Sequence, residues 1–134
     1  MKILVIDAQG GGVGRLLITS LKKELPEAEI IAVGTNTTAT ASMLKAGADA
    51  GATGENAVVV NCRTVDVIVG PIGIAIADSM LGEVTPRMAE AVGASLAKRI
   101  LIPFQHCDSI IVGVEETSVG KLVEQAVKHI VALR

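Results

Sequence analysis

The sequence predicts a three-layer α/β domain built on a mostly parallel sheet. Three observations carry that expectation. Apolar residues make up 50% of the 134, yet Phe104 is the only Phe, Tyr or Trp, so the core must be aliphatic. Several runs are continuously aliphatic, as in strands covered on both faces. These runs alternate with segments of helical periodicity, the signature of βαβ units.

The elements follow in order. Lys2-Ile3-Leu4-Val5-Ile6 reads as the first strand. A helix runs from Val13 to Leu25, burying Val13, Leu17 and Leu21, and Pro26 ends it. The second strand is Glu29 to Gly34, and Asn36 or Thr37 caps a second helix that carries Met43 and Leu44 and stops at Gly47. Ala48 to Gly54 reads as a small-residue loop, and Glu55 to Arg63 as a short helix, because Arg63-Thr64 makes a poor hairpin turn. The third strand is Val65 to Gly70, followed by a loop from Pro71 to Gly82 containing one helical turn. Thr85-Pro86 is an N-cap and N1 pair opening a helix with Met88, Val92 and Leu96 on one face. Arg99 to Phe104 is the fourth strand and Ser109 to Val114 the fifth. About five residues are too few for a parallel crossover, so the fifth strand is expected to run antiparallel. The last helix follows Glu115-Glu116, with Val119, Leu122, Val123, Ala126, Val127, Ile130 and Val131 as its buried stripe. The expected result is a three-layer Rossmann-like sheet over residues 1–134 as one domain: four parallel strands in the order 2-1-3-4 plus an antiparallel edge strand 5.

Bulk properties exclude several functions. Net charge is −2, from 12 basic and 14 acidic residues, and no basic patch interleaves with aromatics, so no nucleic acid is expected as partner. The apolar stretch Val67 to Ala77 holds two glycines and a proline and is too short to span a bilayer, and the N-terminus is not a signal peptide. Cys62 and Cys107 form no CxxC pair, which suits a reducing cytoplasm. High apolarity in a small chain points to a homo-oligomer.

Asp7-Ala8-Gln9-Gly10-Gly11-Gly12-Val13-Gly14-Arg15 joins the first strand to the first helix. Backbone N–H groups at a helix N-terminus attract anions, and glycines let a phosphate approach the main chain. The dinucleotide fingerprint is met only in part: the frame Gly10, Gly12, Arg15 and the frame Gln9, Gly11, Gly14 each lack one glycine. Gly14-Arg15-Leu16 lacks the lysine and hydroxyl of a Walker loop, which excludes that ATPase type. A phosphoacceptor domain is excluded as well, since Gly70 stands where its aspartate would be.

Ligands in open α/β sheets bind beyond the carboxyl ends of the strands. There the topology gathers the glycine loop, Gly34-Thr35-Asn36, Gly70-Pro71-Ile72-Gly73 and Gln105-His106-Cys107-Asp108. Dinucleotide folds place a ribose-binding acid at the second of these, and here none is present. Thr35 or Asn36 could bond the ribose or a 2′-phosphate instead, while Asn36 could equally be a helix cap. Asp7 could face the ligand or hold the loop by accepting backbone N–H bonds, and Arg15 could reach a phosphate. Asp78, Ser79 and Glu83 follow in a polar loop suited to a lid. His106-Cys107-Asp108 invites a nucleophile reading, but neighbours on an extended segment point opposite ways. Cys62, His106, Cys107 and His129 lack the spacing of metal ligands.

The expected ligand is a nucleotide or other small phosphorylated molecule, NAD(P) among the candidates. It would be held by Asp7, Gln9 to Arg15 (through Gly10, Gly11, Gly12, Val13 and Gly14), Gly34 to Asn36 and Gly70 to Gly73. A regulatory or non-catalytic role is the first reading. A small NAD(P)-dependent oxidoreductase, or a partner-binding protein with a vestigial glycine turn, are the alternatives.

Five segments together carry a resemblance: Ile6 to Gly12, Met43 to Asp49, Gly51 to Ala57, Val69 to Ile74 and Ser79 to Pro86. The chain resembles a small bacterial family, domain of unknown function 3842. The resemblance implies a stand-alone Rossmann-like domain in the cytoplasm. It implies no activity, substrate or catalytic residue.

Overall fold

The computed structural model of the protein describes residues 1–104 and 109–134. Five parallel strands form one sheet in the order β3-β2-β1-β4-β5. They are β1 (Lys2–Asp7), β2 (Glu29–Gly34), β3 (Ala50–Thr53), β4 (Val67–Pro71) and β5 (Lys98–Ile102). The helices are α1 (Gly12–Glu24), α2 (Thr37–Lys45), α3 (Glu55–Asn61), α4 (Pro86–Ala94) and α5 (Val119–Val131), and a short 3₁₀ turn covers Ile72–Ala75.

Alternate residues of the central strands feed two cores. Ile3 and Val5 face α1, α2 and α5, where they meet Leu17, Met43 and Val127. Leu4 and Ile6 face the opposite layer, with Val58 of α3 and Met88 and Val92 of α4. All four β1 residues are buried, which is why that strand reads as an unbroken aliphatic run.

The four expected parallel strands keep their expected order, as β2-β1-β4-β5. The sheet edges differ from expectation. Ser109 to Val114 is not a strand and forms no antiparallel edge. Val114 N–H bonds the Ile111 carbonyl at 3.3 Å, and Gly113 takes a left-handed φ of 85°, so the chain turns where a strand would continue. The outer strand lies on the other side of the sheet and is parallel. Ala50–Thr53, expected as a loop, pairs with Ile31–Gly34 of β2. Its residues are small because α2 lies directly against it: a Cβ on Gly51 would come within 2.9 Å of Leu44. Small size hid the strand, since no aliphatic run marks it. Helix α4 also ends sooner than expected: the backbone turns extended at Ser95, and Leu96 leaves the buried stripe for solvent.

The caps agree with the sequence. The Asn36 side chain accepts the Ala39 N–H, and Thr85 accepts that of Met88. Gly47 has φ 116°, a conformation that costs other residues energy. Among the described residues no helix is long and apolar enough to cross a membrane.

Candidate functional site

The glycine loop leaves β1 at Asp7 and enters α1 at Gly12. Asp7 holds both ends of it. One carboxylate oxygen accepts the Ala8 N–H at 2.8 Å and the other accepts the Gly14 N–H at 2.7 Å. Burial pushes the Asp7 carboxyl above its ordinary value, against the pull of these N–H groups, and the Glu83 charge adds to the rise. Asp7 therefore takes the loop-holding role; both its oxygens are engaged with the main chain.

The glycines divide by what the fold asks of them. Gly11 has φ 73°, and a Cβ there would meet the Ala39 backbone at 2.9 Å. On Gly14 a Cβ would run into Met43 and stand 3.1 Å from the Asp7 Cβ. Gln9, with φ 52°, supplies the left-handed turn itself. Gln9 and Gly11 thus make the tight turn, and Gly11 and Gly14 let α1 approach α2 and the end of β1 closely. Gly34 and Gly70 serve packing too: their Cβ positions lie 2.5 Å from Thr40 Oγ1 and 2.2 Å from the Ile6 carbonyl oxygen.

Gly10 and Gly12 differ. Neither has a left-handed φ, and a Cβ on either would meet nothing within 4 Å among the described residues. Beside them lies a cavity of about 200 Å³, lined by the loop together with Pro71, Met80 and Phe104. That is smaller than the roughly 300–1,000 Å³ of drug-sized pockets. Val13, in the same lining, is buried at the start of α1, and Arg15 is exposed on its first turn. Ile72 and Gly73 open the 3₁₀ turn behind Pro71, and Gly73 accepts the Ser79 hydroxyl through its carbonyl. A larger hollow of about 520 Å³, lined by Cys62, Arg63, Asp66 and Ser95 among others, lies at the amino ends of β4 and β5. That is the end of an open sheet away from which ligands bind.

Thr35 and Asn36 both point to one carboxylate. Glu83 Oε1 accepts the Gln9 N–H at 2.8 Å, the Thr35 hydroxyl at 2.7 Å and the Asn36 amide at 2.8 Å. Asn36 also donates to the Gln9 carbonyl at 3.0 Å while capping α2. Burial raises the Glu83 carboxyl, but the three donors outweigh it and hold it below its ordinary value. Glu83 arrives on a loop in which Asp78, Met80, Leu81 and Gly82 all have positive φ. The loop is closed on itself by the Asp78 N–H on the Val84 carbonyl at 2.8 Å.

The site thus brings together the glycine loop, the end of β2 and the turn after β4. Sequence reading placed Glu83 only in a polar lid. Its position among Gln9, Thr35 and Asn36 had no local signal, because its partners lie 47 to 74 positions away in the chain. The His106-Cys107-Asp108 reading, with Gln105, lies outside the described residues.

A family model matches residues 2–134 of the chain. The protein belongs to that family, Domain of unknown function (DUF3842). No curated protein matches the family member described here. Among solved structures it is similar to a dodecameric FMN-dependent UbiX-like decarboxylase from Escherichia coli O157:H7. The TM-score is 0.49 at 19% identity, over 96% of this chain and 76% of that one.

Proposed function

We propose that this protein binds a nucleotide or other phosphorylated small molecule at the glycine loop and acts as a regulatory, non-catalytic module. One observation carries the reading. Gly10 and Gly12 are glycines that neither backbone conformation nor packing among the described residues requires, and they border a cavity. Val13 and Gly14 turn their N–H groups to Asp7, and Gly11 donates to the Ala8 carbonyl, so the N–H groups of Gly10 and Gly12 are the ones offered to an anion at this helix N-terminus. Arg15, exposed one turn into α1, is placed to add charge to a bound phosphate. The commitment of Asp7 to the loop's own N–H groups favours binding over acid–base chemistry at this spot.

The test is a thermal-shift panel of NAD, NADP, FAD, FMN, ATP, GTP, coenzyme A and sugar phosphates. A ligand that binds the native state raises the midpoint by mass action. One class is expected to shift wild type and to lose its effect in Gly12→Ala, whose unliganded midpoint should not fall. No shift with any compound would overturn the reading. We also propose a homo-oligomer in the cytoplasm. Ile110 and Val112 are 90% and 93% exposed, an apolar surface suited to contact between copies. Light scattering at several concentrations checks this, and a monomer throughout would refute it.

A further inference from the structure

We propose that Glu83 is the ribose-recognition residue of this site, so that the ligand is a nucleoside phosphate with a free 2′-hydroxyl. The inference rests on the phosphate reading above and narrows it. In dinucleotide folds of this strand order an acid at the end of the second strand accepts the ribose hydroxyl. Here that position is Gly34-Thr35-Asn36 and carries no acid. An acid reaches the place from elsewhere in the chain: one oxygen of Glu83 accepts from Thr35, Asn36 and Gln9 of the glycine loop together.

The two carboxylate oxygens have different tasks. All the hydrogen bonds that position Glu83 end on Oε1, and Oε2 accepts none among the described residues. Oε1 ties the side chain to the glycine loop and to the turn between β2 and α2, and Oε2 is left to accept from a ligand. Thr35 and Asn36, whose side chains donate to Glu83, are then positioning residues. A fixed carboxylate accepts a hydroxyl and repels a phosphate ester at the same carbon. The site should therefore prefer NAD to NADP, which differ only by that 2′-phosphate.

Titration calorimetry with NAD and NADP tests this on wild type and Glu83→Gln. The amide oxygen of glutamine can still accept the three positioning bonds, while its nitrogen replaces the free acceptor with a donor. Wild type should bind NAD at least about tenfold more tightly than NADP, the effect of one hydrogen bond to a charged group. In Glu83→Gln the two affinities should come within about threefold of each other. Circular dichroism and the melting midpoint confirm that the variant is folded. Glu83→Asp, a shorter acid, should restore part of the preference if glutamine alters the loop. Equal wild-type affinities, or a preference untouched in Glu83→Gln, overturn the inference while leaving the phosphate site standing. Binding of sugar phosphates alone also overturns it. No binding by any phosphate compound overturns both readings together.

Discussion

The carboxylate of Asp7 accepts the backbone N–H of Gly14 at 2.7 Å, so the last residue of β1 ties down the first turn of α1. The same side chain takes the Ala8 N–H, and the loop between them is closed at both ends. Replacing Asp7 with Ala orphans the buried Gly14 N–H, a cost of about 1–3 kcal/mol that should be largest in acid, where the carboxyl is protonated, and smaller at neutral pH, where Ala also removes a buried charge. Urea unfolding measures it, and a loss below a few tenths would show that the loop holds itself.

The two site carboxylates act in opposite directions with pH. Asp7 has its folded pKa raised from 3.8, so its contribution is full below that value and is lost as pH rises through the raised one. Glu83 has its folded pKa lowered from 4.5, so its contribution is present above 4.5 and is lost as pH falls through the lowered one. Wild type should therefore lose stability more steeply than Glu83→Gln on acidification below pH 4.5. Parallel acid limbs for the two proteins would contradict this.

Gly70 and Gly12 should respond in opposite ways to the same methyl group. A Cβ on Gly70 would stand 2.2 Å from the Ile6 carbonyl oxygen in the neighbouring strand, with no flexible side chain to yield. Gly70→Ala should lose about 3 kcal/mol or more, the upper range for overpacking. Gly12→Ala, in open space at the start of a helix, should be neutral or gain up to about 1 kcal/mol. Denaturation midpoints of the two variants decide the point.

Asn36 does more than cap a helix. It accepts the Ala39 N–H and donates to both Gln9 and Glu83. Asn36→Ala should cost about 2 kcal/mol, the top of the range for a lost cap, and should weaken the NAD preference by releasing Glu83. A cost of only about 0.5 kcal/mol with binding unchanged would reduce Asn36 to a simple cap.

Cys62 is buried, and burial lifts its thiol to about 11. Thiolate is the reactive form. Peptide mapping after iodoacetamide at pH 8 should find Cys62 unmodified in the native protein and alkylated in urea. Rapid native modification would show that the α3 layer opens readily.

The aliphatic runs at Ile3 to Ile6 and Ile30 to Val33, the helical stripe Val13-Leu17-Leu21 and the caps at Asn36 and Thr85 were all legible in the chain. Each is a local consequence of burial period or backbone hydrogen bonding. So was a glycine turn between the first strand and the first helix, although the neighbours that demand glycine at positions 11 and 14, Ala39 and Met43, lie far along the chain. Membership in the family followed from motifs spread along the chain.

Tertiary structure alone decided the rest. Ala50–Thr53 became a strand because β2 offered an unpaired edge and α2 left room only for small residues. Ser109 to Val114 has a strand-like composition but turns at Gly113. Most of all, the partner of Thr35 and Asn36 lies 48 and 47 positions along the chain, a pairing invisible to any local pattern. Local sequence specifies which backbone groups need satisfying close by; which distant side chain satisfies the others depends on how the layers close over the sheet.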